Sequence, residues 1–139
     1  MKIILKNKNK YILRFDPRDE LIGSLKDFCI DQDIKSGVFS AIGACNELIT
    51  SYYNLNKKEY EDKDILERLE IVSLTGSVAL FEGNVLIHAH GLFSDSNMQV
   101  RGGHVKKLVV SATCELSLEV FDEALEREYD EKTGLNLLK

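Results

Sequence analysis

Val85-Leu-Ile-His-Ala-His-Gly-Leu-Phe93 is an alternating run that reads as a β-strand and carries two of the chain's three histidines, His88 and His90. Residues two apart on a strand point to the same face. Their β-carbons are then about 6 to 7 Å apart, since each residue rises about 3.3 Å. That gap lets two imidazoles converge on one ion at about 2.0 to 2.1 Å. The remaining histidine closes Val100-Arg-Gly-Gly-His104. Delivered to the same face, it would complete a three-histidine site with an open coordination position, the arrangement catalytic zinc sites use. Spacing alone leaves a second reading level with this one, two half-buried rings bonded to backbone carbonyls. The glycine pair before His104 favours the metal, because residues without β-carbons let the backbone approach closely or turn sharply. They would equally serve an ordinary hairpin turn.

Turn signals bound the histidine strand on both sides, Glu82-Gly-Asn84 before it and Ser94 to Asn97 after it. The run from Leu66 to Leu80 precedes it, and a long apolar run from Leu108 to Phe121 follows. Further upstream, Gly37 to Gly43 and Glu47 to Tyr53 have the β-branched and aromatic content of strands, separated by a small-residue bend. Between them and Leu66, Asn54 to Asp64 is a charged connection with room for one short strand. Sequential strands joined by short turns predict a mainly antiparallel sheet. Its apolar face must be covered by a helix, by curling on itself, or by another subunit.

One strong helical signal stands before these strands. Tyr11 to Phe15 reads as a short strand, and Asp16-Pro-Arg-Asp-Glu-Leu21 reads as a helix start with Asp16 as N-cap and Pro17 at the first helical position. The helix is expected to run to about Asp31, with Leu21, Leu25, Phe28 and Cys29 as its apolar stripe. Gly23 inside it costs roughly 1 kcal/mol relative to alanine, which suggests close packing at that backbone or, equally, a tolerated surface glycine. The fold class expected is α+β, a largely antiparallel sheet with one main helix.

With 139 residues the chain fits a single domain over 1–139, large enough to bury one core unaided. The sequence has no apolar run of membrane-spanning length, and its first residues are too short and interrupted for a signal peptide. Cys29, Cys45 and Cys114 are odd in number and form no Cys-x-x-Cys pair, which suits reduced thiols in the cytoplasm. Cys29 and Cys114 read as core. Cys45 stays open between core filler and a nucleophile paired with a histidine, although nothing around it lowers a thiol pKa. A net charge of −5 argues against autonomous DNA binding. Arg101, Lys106 and Lys107 form the one local basic exception, read as a solvated turn. No Walker motif or dinucleotide fingerprint is present, so nucleotide chemistry is not supported.

Leu69-Glu-Ile-Val-Ser-Leu-Thr-Gly-Ser77, His88-Ala-His90 and Gln99-Val-Arg-Gly-Gly-His104 together resemble the PPC (plants and prokaryotes conserved) domain family. Gly37-Val-Phe-Ser-Ala-Ile-Gly-Ala44 and the tail from Leu125 to Leu138 resemble it as well, so the likeness covers essentially the whole chain. It implies an α+β domain that assembles as a homotrimer and holds a metal, zinc by preference, on the histidines matching His88, His90 and His104. Plant members carry an AT-hook for DNA; this chain has no Arg-Gly-Arg-Pro core. The fold implied is also similar to that of α-acetolactate decarboxylase.

The function expected is therefore that of a trimeric, metal-binding regulatory or assembly domain. It would work through protein partners, with weak or indirect contact with nucleic acid and none with membrane. The alternative is a small zinc-dependent lyase or hydrolase acting on a carboxylate or ester. Catalysis would need a further charge beside the metal, and sequence position nominates Glu47 as acid or base and Arg101 as a carboxylate binder. Each also reads as a plain surface charge.

Overall fold

Two long strands, β3 (Gly37–Asn54) and β7 (Val100–Val120), organise the chain, pairing antiparallel from Gly37 opposite Val120 to Ser51 opposite His104. The computed structural model describes residues 1–139. Around that pair lie β1 (Lys2–Asn7), β2 (Lys10–Phe15), α1 (Leu21–Asp31), β4 (Glu59–Ile65), β5 (Leu69–Phe81), β6 (Asn84–Ser94), β8 (Glu126–Asp130) and β9 (Leu135–Leu138). β5 pairs with the first half of β3, and β4 with its second half. β6 pairs with β5 along its length and then with the start of β7. The ring β7, β3, β5, β6 and back to β7 is thus closed, and the sheet curls on itself. Every pair is antiparallel except the short parallel contact of β5 with β8.

The helix supplies the rest of the cover. Leu21, Leu25, Phe28 and Cys29 are buried in one core with Leu13, Phe15, Leu74, Phe93 and Leu116, among others. Burying a leucine or phenylalanine contributes about 1.5–3 kcal/mol relative to exposure, and this stripe fixes the orientation of α1. The α+β class and the largely antiparallel sheet with one helix are as the sequence indicated.

Three local readings change. The helix is capped by Glu20, whose carboxylate accepts from the Ile22 and Gly23 N–H groups, and Asp16 and Pro17 lie outside it. The backbone of residues 18 and 19 is claimed by β7: the Arg18 N–H donates to the Val110 carbonyl and the Val110 N–H to that of Asp19. Asp16 and Asp19 close a turn of their own, with Arg18 at φ 78°. Next, the small-residue bend near Gly43 is a set of β-bulges inside one continuous strand. Bulges bend a strand without ending it, which lets β3 serve two neighbours on one edge. β7 begins at Val100 rather than Leu108, so the basic cluster lies on a strand and not on a turn. The tail, to which the sequence assigns no element, folds as the β8–β9 hairpin.

Candidate metal site and its cavity

Strand register alone brings the three histidines together. His88 and His90 share a face of β6, and His90 lies directly opposite His104 on β7. Residues directly opposite in an antiparallel pair project to the same side. The ring centroids form a near-equilateral triangle with sides of 5.2, 5.1 and 5.3 Å. One potential ligand nitrogen from each lies within 4.8 Å of the others, a spread that side-chain rotation closes onto an ion at about 2.0 to 2.1 Å. Gly102 and Gly103 continue the ladder rather than turning it. A β-carbon on Gly102 would run into the Gly91 carbonyl oxygen, and one on Gly103 would lie 2.8 Å from Thr50 Oγ1. Only glycine lets β7 come this close to its neighbours.

The surroundings of His88 and His104 favour the neutral ring. Burial first, and then the neighbouring His88, His90 and Lys106, push His104 down to about 4. Burial, Arg127 and His90 lower His88. Tyr60 of β4 stacks on His104 at 4.7 Å between centroids. His104 Nδ1 is buried without any hydrogen-bond partner, the condition of a ring nitrogen left for a ligand. Three imidazoles, two of them disfavoured as cations and one with an orphaned nitrogen, fit a borderline-soft divalent ion such as zinc.

The histidines open into a cavity of about 500 Å³ whose other walls include Tyr53, Leu86, Leu135, Leu137 and Arg127. No aspartate or glutamate lines it, so the three rings have no fourth protein ligand from this chain. No local pattern singles out Arg127, a lone arginine between two glutamates in the tail, or Tyr60 in the charged connection. Both reach the cavity only through tertiary pairing.

Glu47 and Arg101 are placed elsewhere. Glu47 is salt-bridged to Lys107 and Arg101 to Glu67, and neither lines the cavity. Lys106 is paired with Asp62 at 2.7 Å, so each cation of the basic cluster has an acidic partner. Cys45 is fully buried, and burial with the nearby Glu70 raises its thiol to about 11. A nucleophilic Cys45 is ruled out by that burial.

The family model for the Plants and Prokaryotes Conserved (PCC) domain matches residues 4–122. The chain belongs to the PCC domain family. Among solved structures, this PCC chain superposes on a candidate DNA-binding protein from Bacteroides thetaiotaomicron with TM-score 0.94 at 31% identity, covering 97% of this chain and 94% of that one. A metal-containing protein from Archaeoglobus fulgidus gives TM-score 0.87 at 34% identity, covering 100% and 99%. Acetolactate decarboxylase from Bacillus subtilis shares the fold at TM-score 0.58 and 12% identity, over 79% of this chain and 52% of that one. No curated protein matches the chain in sequence.

Proposed function

We propose that residues 1–139 form a single homotrimeric PCC domain of the cytoplasm. It holds one divalent metal, zinc by preference, on His88, His90 and His104, and serves a regulatory or assembly role. The observation that carries this reading is the histidine triangle with its orphaned His104 nitrogen, opening on a cavity. The Archaeoglobus relative, itself described as metal-containing, supports it. Bound there, a divalent ion would supply a Lewis-acidic centre with a coordination position facing the cavity.

Assembly is supported by the outer face of the sheet, where Ile12, Val38, Ile42, Val72 and Leu92 remain exposed. Exposed apolar side chains in this number, set among Ser40, Ser73, Glu115 and Ser117, suit a partner surface. Free thiols at all three cysteines suit the cytoplasm, and no helix is long and apolar enough to cross a membrane. The Bacteroides relative's description brings nucleic acid into view, and the paired state of Arg101, Lys106 and Lys107 favours indirect association through protein partners.

Elemental analysis of protein purified without chelator tests the metal, with light scattering for assembly. One zinc per chain in the wild type is expected, lost in His88→Ala, His90→Ala and His104→Ala, with a mass about three times that of the 15.7 kDa chain. Equal zinc in all four proteins would sink the metal reading, and a stable monomer the trimer.

A second reading, a zinc-dependent lyase or hydrolase acting on a carboxylate or ester, is favoured by one observation: the histidines face a cavity and are not sealed by a fourth ligand. Turnover of such substrates by wild type and none by His104→Ala would move the assignment there.

A further inference from the structure

The tail hairpin contributes a cation to the histidine cavity that the family-matched residues 4–122 do not contain. Arg127 of β8 lies half-buried with Nη2 3.2 Å from His88 Nδ1 and 3.1 Å from Ser77 Oγ, and Nη1 donating to the Asn136 carbonyl at 2.9 Å. All three partners are neutral. Its Nε is buried with no partner, and no ion pair involves this guanidinium. Asp62, which is bonded to the cavity-lining Ser51, is also committed to Lys106. A cation removed from water without a counter-charge is costly, so the cavity as built favours an anion.

We propose that Arg127 anchors the carboxylate of a small organic acid with an apolar body, held in the cavity beside the three histidines. The inference rests on reading that cavity as a ligand site, and it names the ligand class. One guanidinium offers a planar fork that suits the two oxygens of a carboxylate. A phosphate ester brings three terminal oxygens in a tetrahedral array, which one planar two-pronged guanidinium matches less well than it matches a carboxylate. Leu86, Ile87, Leu135 and Leu137 receive the body of the acid, with Tyr53 and Tyr60 beside them. About 500 Å³ lies in the range that small-molecule sites occupy.

The hairpin is built to hold this residue in place. The Tyr53 hydroxyl donates to the Thr133 carbonyl at 2.6 Å, and Lys58 Nζ to that of Glu131 at 2.5 Å, tying the β8–β9 turn to β3 and the β3–β4 loop. Asp130 accepts from both the backbone and the hydroxyl of Thr133, closing the turn itself. Arg127 is thus fixed at the cavity wall and does not ride on a loose tail.

Calorimetric titration of the full chain tests the proposal with three probes, phenylacetate, its neutral isostere phenylacetamide, and phenyl phosphate. Zinc content is measured on every sample. Phenylacetate is expected to bind wild type at least about tenfold tighter than phenylacetamide, and to lose that margin in Arg127→Gln, with Arg127→Lys intermediate. Equal affinity for acid and amide, undiminished binding by Arg127→Gln, tighter binding of phenyl phosphate, or no saturable binding of phenylacetate would each overturn it. If Arg127→Gln fails to fold, Arg127→Lys and the comparison of acid with amide on chelator-treated wild type decide. Protein that carries no zinc yet binds phenylacetate through Arg127 removes the metal reading and keeps this one. Protein that carries zinc and ignores phenylacetate does the reverse.

Discussion

His90 and His104 face each other directly across the β6–β7 ladder, their ring centroids 5.3 Å apart. The contact depends on β7 lying against β6, with Gly103 opposite Gly91 and the Gly91 carbonyl oxygen against the bare α-carbon of Gly102. A single methyl group at Gly102 must push the strands apart. Gly102→Ala is therefore expected to destabilise the chain by about 1–3 kcal/mol and to weaken zinc binding as well. Urea unfolding and a zinc competition titration check it; wild-type values in both would mean that the ladder tolerates the added carbon.

Metal-free protein is expected to lose stability as pH falls from 6.5 toward about 4. Burial lowers the folded-state pKa of His88 and His104 below the ordinary 6.5. In that window the unfolded chain binds the protons that the folded chain refuses, so stability is complete above 6.5 and declines below it. Melting temperatures of chelator-treated wild type and His104→Ala across this range provide the measurement. A variant with the same slope as wild type would show that His104 does not titrate as its surroundings dictate.

The three cysteines should be silent in the native state. Burial raises Cys29 and Cys114 to about 12 and Cys45 to about 11, and none touches the solvent. A thiol reagent at mildly alkaline pH is expected to report none in native protein and all three in denaturant. Prompt labelling of Cys45 in the native chain would contradict its burial.

Glu20→Ala is expected to cost about 1–2 kcal/mol or somewhat more, since its carboxylate caps α1 and also accepts from the Leu108 N–H. Gly23→Ala, which helix propensity alone would reward with about 1 kcal/mol, should return less than that. The added β-carbon lies 2.7 Å from Glu20 Oε2 and displaces the cap. Thermal melts of both variants test the pair, and a full gain from Gly23→Ala would show that the cap has room to move.

Duplex DNA should bind weakly at about 150 mM salt. The net charge of −5 opposes approach, and the local cations Arg101, Lys106 and Lys107 are each neutralised by an acidic neighbour. Titration of a labelled AT-rich duplex checks this. Saturable sub-micromolar binding would mean that assembly gathers basic surface that a single chain does not display.

Strand content, the one helix and the metal-competent histidines were legible because they depend on local periodicity. An i, i+2 pair on a strand needs no distant information to share a face, and the Leu21, Leu25, Phe28 stripe needs none to define α1. The helix start was misplaced because Asp16-Pro17 satisfies every local rule for a cap. Only the pairing of Arg18 and Asp19 with Val110, far along the chain, draws that backbone away.

The sequence by itself determined which chemistry the chain can hold, since three histidines on strand-forming segments and a glycine pair before the third are properties of short stretches. Tertiary structure alone decided what surrounds them. Glu47 and Arg101, equally eligible by position, are drawn off to Lys107 and Glu67, while Arg127 and Tyr60 arrive from segments with no motif of their own. Their arrival depends on sheet closure and on the docking of the β8–β9 hairpin. Both are non-local pairings, whose energy comes from contacts between residues that no window of sequence contains together.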